Sequence, residues 1–194
     1  HRDLHSFPTR RSSDLITVKI KVTAPLNNYS KSLNTVPVEG GSVYANGDVI
    51  SSDYVAGDRV GNDGVQAFAA FDISGIPAGA QITEAKVNFS NYVALGNPFN
   101  DLGCLRLYGD PYRPLDASDY TPPPVSDALV RWCSSAQLSA VTIESDLAGY
   151  LQSRLGTKWM PIRLQFNEKQ SDNNNDNDAI GWFGMTIDVK YKAP

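Results

Sequence analysis

The sequence predicts an all-β fold, a single antiparallel β-sandwich of jelly-roll type with one short helix. Three observations lead to this prediction. Apolar and polar residues alternate in many short segments, which is typical of strands with one buried face. Glycine, proline and asparagine separate these segments, as turn residues do. Only one segment has apolar residues at helical spacing.

The first fifteen residues, 1–15, resemble the conceptual translation of a short-read sequencing adapter. We interpret them as an artefactual tail and exclude them from the fold and the function. We expect that the true amino terminus, with any export signal or upstream domain, is missing. Residues 16–194 are then expected to form one domain, since single all-β domains of roughly 200 residues are common.

Excluding this tail removes three arginines, two aspartates and both histidines, so the net charge changes from −4 to −5. Without histidine there is no Ser-His-Asp or Cys-His catalysis and no imidazole metal site. The acidic balance without a basic cluster predicts that neither nucleic acid nor an anionic membrane is a partner. No apolar segment reaches the roughly 20 residues that cross a bilayer, so we expect no membrane insertion.

The amino-terminal half contains most of the predicted strands and turns. Residues 16–23 alternate apolar residues with lysines, which predicts a strand. The Asn46-Gly47 pair inside 43–50 predicts a two-residue hairpin turn. Residues 76–79, with a proline and a glycine, predict a turn. The remaining predicted strands share the same alternation and cover 65–72, 82–93, 102–108, 162–166 and 185–191.

The carboxy-terminal half contains a proline-rich segment and the only predicted helix. The prolines of 110–126 exclude a central strand and predict a long surface loop. The helix is predicted to begin with Ser145 as its N-cap and to end at Gly156. Its apolar residues are Leu147, Tyr150, Leu151 and Leu155.

Two stretches resemble a DNRLRE-type domain. Residues 66–85, QAFAAFDISGIPAGAQITEA, resemble the family's Phe-Asp strand and the Ile-Pro-x-Gly-Ala turn that follows it. Residues 145–156 resemble the family's helix, and residues 160–165 and 186–191 resemble two strands that come after this helix. The resemblance covers about 43–192 and implies an extracellular β-sandwich module. Some members accompany polysaccharide lyases and bind acidic polysaccharide. The arginine usual at the start of the Phe-Asp strand is replaced here by Ala69 or Ala70.

Aromatic residues are candidates for binding a polysaccharide or cell-surface glycan, because sugar C–H faces stack on aromatic rings. We predict this role for Tyr112, Tyr120 and Trp132, and we expect the two tyrosines to be exposed in the proline-rich loop. The primary functional prediction is therefore a non-catalytic extracellular or cell-surface module that binds a glycan. Aspartates at 110–127 leave carboxylate-based glycoside hydrolysis formally open, but we expect no enzymatic activity.

Oxygen donors are concentrated in residues 168–178. Glu168, Asp172, Asp176 and Asp178 are predicted to bind a structural Ca²⁺, which takes 6–8 oxygen ligands. A solvated loop between two strands is the alternative. The spacing lacks the glycine and terminal glutamate of an EF-hand.

Cys104 and Cys133 are compatible with one disulfide or with two buried thiols. The composition resembles that of secreted proteins, which favours the disulfide.

An alternative function is that of a structural subunit in an extracellular filament or surface layer. In this hypothesis the strand at 16–23 completes the sheet of another copy by strand exchange. Pairing of 16–23 within its own sandwich is the other interpretation.

Overall fold

The computed structural model describes residues 24–121, 127–166 and 170–194, except for the side chain of Ser90. The predicted tail at 1–15, the predicted strand at 16–23 and Glu168 lie outside the described residues. The strands are β1 (Asn27–Asn34), β2 (Gly41–Tyr44), β3 (Val49–Ser51), β4 (Tyr54–Arg59), β5 (Asp63–Asp72), β6 (Gln81–Leu95), β7 (Leu105–Gly109), β8 (Val130–Trp132), β9 (Trp159–Phe166) and β10 (Asp178–Ala193). The α-helices are α1 (Pro98–Asp101), α2 (Ser135–Ser139) and α3 (Ser145–Arg154), and 3₁₀ turns lie at Pro37–Glu39 and Ala117–Asp119.

The strands form one curled, antiparallel sheet with the order β1-β10-β4-β5-β9-β7-β8. β2 pairs with β3 and β5, and β6 pairs with β10. The sixteen-residue β10 pairs with β6 along one edge, and with β4 and then β1 along the other edge. The sheet therefore folds over on itself like a sandwich, and the predicted all-β fold with one short helix is confirmed, with α1 and α2 as two further helices that the sequence did not predict.

The main core lies between the two halves of the curled sheet. β6 contributes Ala85, Val87 and Phe89, and β10 contributes residues including Ile187 and Val189. The predicted strands at 82–93 and 185–191 thus each have one buried face, as their alternation of apolar and polar residues indicates. Burying each large apolar side chain contributes about 1.5–3 kcal/mol, so this face holds β6 and β10 in register.

The predicted hairpin is present between β2 and β3, where Val43 pairs with Val49. Gly47 adopts φ +94°, a left-handed conformation that glycine tolerates. The Asn46 side-chain oxygen accepts a hydrogen bond from the Asp48 amide at 2.8 Å. The hairpin is therefore present, but the predicted two-residue turn is wrong: the Tyr44 amide donates to the Asp48 carbonyl at 2.9 Å and the Gly47 amide to the Tyr44 carbonyl at 3.0 Å, so the loop has three residues, 45–47, and only Gly47 is left-handed.

The predicted helix is α3, but its N-cap is Glu144 and not Ser145. The Glu144 amide donates to the Ala85 carbonyl of β6 at 2.9 Å, and this contact fixes the chain one residue before the predicted cap. Gly156, at φ +88°, follows the end of the helix as predicted. None of the helices in the described part of the chain is long and apolar enough to cross a membrane.

The described part of the proline-rich segment is a surface loop, as predicted, but its Tyr112 is buried. This part packs on the face of β5 that lies opposite the main core, where Tyr112 contacts Val43 and Phe68. Asp110 forms an ion pair with Arg163 of β9 at 3.3 Å, which anchors the start of the segment. Prolines keep the segment out of the sheet, but they do not prevent its side chains from covering the sheet.

Candidate functional site

The prediction that Tyr112 is exposed is wrong, since only 4% of this residue is accessible to solvent. Its ring lies edge-on to Phe68 with the centroids 5.0 Å apart, and its hydroxyl donates to the Glu39 carbonyl at 2.6 Å. Burial raises the pKa of the Tyr112 phenol. A sugar therefore has no access to this ring.

Trp132 is also only 4% exposed and belongs to the main core. Its ring meets Phe89 edge-on at a centroid distance of 5.0 Å. β8 pairs with β7 and turns Trp132 inward, so this residue stabilises the fold and offers no stacking surface.

Tyr120 is half-buried beside the Phe68–Tyr112 cluster. Burial raises the pKa of its phenol to about 12, and the nearby carboxylates of Asp63 and Asp58 add to the rise. The three predicted aromatics are thus divided between two packed clusters. They do not form a common binding surface.

A groove on the outer face of the sheet is the best candidate for a ligand site. We call it the Phe183 groove, with a volume of about 530 Å³, which is in the range of small-ligand sites. Phe183 itself is 82% exposed. The groove is lined by Ser52, Asp53, Val55, Arg59, Val93, Leu95, Gly181, Trp182 and Phe183.

Phe183 faces outward because the regular alternation of inward and outward side chains along β10 is interrupted at this point. The register with β6 shifts between Trp182 and Gly184, and again between Gly184 and Thr186. Trp182 and Met185 consequently both face the core. A glycine inside an apolar strand often marks a β-bulge. Gly184 was therefore the sequence signal from which the exposure of the Phe183 side chain could have been predicted.

Arg59 supplies the positive charge of the groove. Its guanidinium donates to the Tyr44 hydroxyl at 3.0 Å and lies 5.9 Å from the centre of the Tyr44 ring. Among the described residues, no carboxylate lies within ion-pair distance of this guanidinium. Arg59 therefore has charge and donors left for an anionic ligand.

The predicted calcium ligands are only partly brought together. Asp172 and Asp178 lie close to each other, and Asp101 of α1 joins them so that their carboxylate oxygens lie within 4.8 Å. Asp176 is exposed and is not part of this group. Sequence analysis missed Asp101, because it lies about 70 residues before the predicted loop and only tertiary structure joins the two.

The two cysteines form a disulfide, with Cys104 and Cys133 sulfurs 2.10 Å apart. Cys104 immediately precedes β7 and Cys133 immediately follows β8, and these strands pair through Leu105 and Trp132. The bond therefore closes one end of the β7–β8 pair.

No protein-family model and no curated protein sequence matches the chain. The resemblance to a DNRLRE-type domain therefore stays a prediction. The functional argument rests on the geometry of the Phe183 groove and of the acidic residues.

Proposed function

We propose that the protein is a non-catalytic extracellular module that binds an acidic polysaccharide in the Phe183 groove. The observation that carries this proposal is the exposed Phe183 ring in the same groove as Arg59, whose charge is not used in an ion pair among the described residues.

The groove offers the two kinds of contact that an acidic sugar needs. Phe183, Val93 and Leu95 present apolar surface to the C–H face of a sugar ring. The Arg59 guanidinium suits the carboxylate of a uronic acid, because its planar fork donates two parallel hydrogen bonds. Asp53 and Ser52 add polar groups for sugar hydroxyls.

The remaining parts of the proposal have separate support. A disulfide between Cys104 and Cys133 is typical of oxidising compartments outside the cytosol. Two aspartates considered for hydrolysis have structural roles: Asp110 pairs with Arg163, and Asp116 caps the 3₁₀ turn by accepting from the Ser118 amide at 2.8 Å. These roles favour binding over catalysis.

Affinity electrophoresis on polygalacturonate, alginate and neutral dextran tests the proposal. We expect retention on an acidic polymer, and Phe183→Ala to weaken retention at least about tenfold, because burial of a large apolar side chain is worth 1.5–3 kcal/mol. Arg59→Met should lose the preference for acidic polymers. Exposed residues away from the groove give matched controls, Val38→Ala and Arg131→Met. No retention on any polymer, or full retention by Phe183→Ala, contradicts the proposal.

A second candidate function is a structural subunit that assembles by strand exchange. It is supported by β1, an eight-residue strand that pairs with β10 along one edge, while no described strand pairs with its other edge. An edge of this length is a template for strand addition. In this proposal residues 16–23 of another copy occupy the edge.

Sedimentation analysis of chains 16–194 and 24–194 tests this second candidate. We expect concentration-dependent oligomers from 16–194 and monomers from 24–194. A second chain with Val18→Lys and Ile20→Lys, in the strand predicted at 16–23, should also be monomeric. A monomeric 16–194 chain at high concentration contradicts strand exchange and leaves the polysaccharide proposal in place.

A further inference from the structure

Two buried aspartates face each other at one end of the sandwich. Asp58 of β4 is directly opposite Asp178 of β10 in the antiparallel register, so both side chains project from the same face of the sheet. Asp58 is 0% exposed and Asp178 is 2% exposed. The neighbouring inward residues of the two strands, Ala56 and Ile180, belong to the main core, so these carboxylates lie at its rim.

Asp101 and Asp172 complete an aspartate cluster with these two residues. The carboxylates of Asp101, Asp172 and Asp178 each have an oxygen within 4.8 Å of the others. Ca²⁺ binds oxygen at 2.3–2.6 Å, so two ligands on opposite sides of one ion are separated by about 4.8 Å. The three oxygens are therefore close enough to share a single ion.

Asp58 provides an independent sign that a ligand belongs here. Its Oδ2 accepts a hydrogen bond from the Asp172 amide at 3.2 Å. Its Oδ1 is buried and has no hydrogen-bond partner in the described part of the chain. A buried carboxylate oxygen without a donor is costly, and a cation is one way to satisfy it.

The cluster also lacks a counter-charge from the protein. Within residues 24–121, 127–166 and 170–194, no lysine or arginine forms an ion pair with any of the four aspartates. Several carboxylates without a cation repel one another at low dielectric.

Hydrogen bonds hold the cluster in position. The Asn97 amide donates to Asp178 Oδ1 at 2.6 Å, and the Asn174 side-chain amide donates to Asp172 Oδ2 at 2.7 Å. Gly96, at φ +61°, lies so close that a Cβ there would be 2.2 Å from Asp178 Oδ1 and from the Asn177 carbonyl oxygen. The turn after β6 is therefore shaped around the Asp178 carboxylate.

We propose that this aspartate cluster binds one structural Ca²⁺ through Asp101, Asp172 and Asp178, and that the unpartnered Oδ1 of Asp58, which lies outside the 4.8 Å group, turns to the same ion when it binds. The all-oxygen donor set, with no nitrogen or sulfur ligand in the group, favours Ca²⁺ over transition metals. These residues come from β4, from α1 and from the segment that leads into β10, so the ion joins three separate parts of the chain. This proposal is independent of polysaccharide binding.

Thermal unfolding of the metal-stripped protein in EDTA and in CaCl₂ tests the calcium site. We expect a rise in Tm of about 5–10 °C when the free Ca²⁺ concentration is about 100 times Kd. Isothermal titration with CaCl₂ should give one site per chain. Asp58→Asn, which keeps the side-chain shape, should lose at least tenfold in Ca²⁺ affinity and most of the Tm rise, while its Tm in EDTA is at least that of the wild type.

Matched variants make this test specific. Asp176→Asn, an exposed aspartate of the same segment, should keep the wild-type Ca²⁺ response. Asp101→Asn lies on α1 outside the sheet and provides a second ligand variant if Asp58→Asn does not fold. An unchanged Tm with Ca²⁺, or an equal loss of response in Asp176→Asn, overturns the proposed site. An equal Tm rise with the same concentration of Mg²⁺ overturns the assignment to calcium.

Discussion

Phe183 and Tyr112 are both aromatic, but they differ in what covers them. The bulge around Gly184 turns Phe183 to solvent, whereas the proline-rich segment folds back and buries Tyr112 against Phe68. Exposure thus depends on local strand geometry in one case and on the path of a distant segment in the other. Of these two features, only the glycine is visible in the sequence.

At the residue scale, Tyr112→Ala is expected to destabilise the protein by about 3–5 kcal/mol, as large-to-small changes of buried aromatics do. Tyr112→Phe should cost only about 0.5–1.5 kcal/mol, because it removes the hydrogen bond to Glu39 and keeps the ring. Urea unfolding measures both values.

The folded Tyr112→Phe variant separates packing from binding. It should bind acidic polysaccharide as the wild type does, since Tyr112 lies outside the Phe183 groove. A selective loss of polysaccharide affinity without loss of stability would restore Tyr112 as a binding residue.

At the element scale, the turn that joins β6 to α1 is set by Gly96. Gly96→Ala combines a left-handed backbone conformation with a steric clash against Asp178 and Asn177. Gly47→Ala has only the conformational cost, because no atom lies within 4 Å of the added Cβ. We expect Gly47→Ala to cost about 1–2 kcal/mol and Gly96→Ala distinctly more.

Urea unfolding in EDTA compares the two glycine variants without metal. In CaCl₂, Gly96→Ala should also reduce the Tm rise, while Gly47→Ala should leave that rise unchanged. Equal destabilisation of the two variants would show that the chain at Gly96 relaxes away from Asp178.

Elements with a strong local pattern were predicted well from sequence. β5, β6, β9, β10, the β2–β3 hairpin and α3 all have apolar periodicity or turn residues that specify them. β1 was missed because its residues are mostly polar and exposed, and its pairing with β10 defines it as a strand. Such a strand depends on a partner more than 150 residues away.

The predicted calcium ligands illustrate the same limit for a site. Asp172 and Asp178 were identified because several oxygen donors follow one another in the segment before β10. Asp58 and Asp101 have no such neighbours, and they reach the cluster through the register of β4 with β10 and through the position of α1. Local composition detects ligands that are adjacent in the chain and misses those that the fold brings together.

At the scale of the whole molecule, the disulfide connects Cys104 to Cys133 across 29 residues of chain. Removing a cross-link of this span frees the unfolded chain and costs about 2–4 kcal/mol. The Cys104→Ala/Cys133→Ala variant should show this loss in urea unfolding. Reduction of the wild type with dithiothreitol should reproduce it, whereas dithiothreitol should not change the double variant.

The sequence by itself determined the fold class, most core strands, the presence of the β2–β3 hairpin and the main helix, because these depend on side-chain periodicity and on residues close together in the chain. The tertiary structure decided which aromatic residues are exposed and which carboxylates meet. The path of the proline-rich segment buried Tyr112, the bulge in β10 exposed Phe183, and the pairing of β4 with β10 joined Asp58 to Asp178. These are contacts between distant segments, and their geometry arises only when the sheet closes.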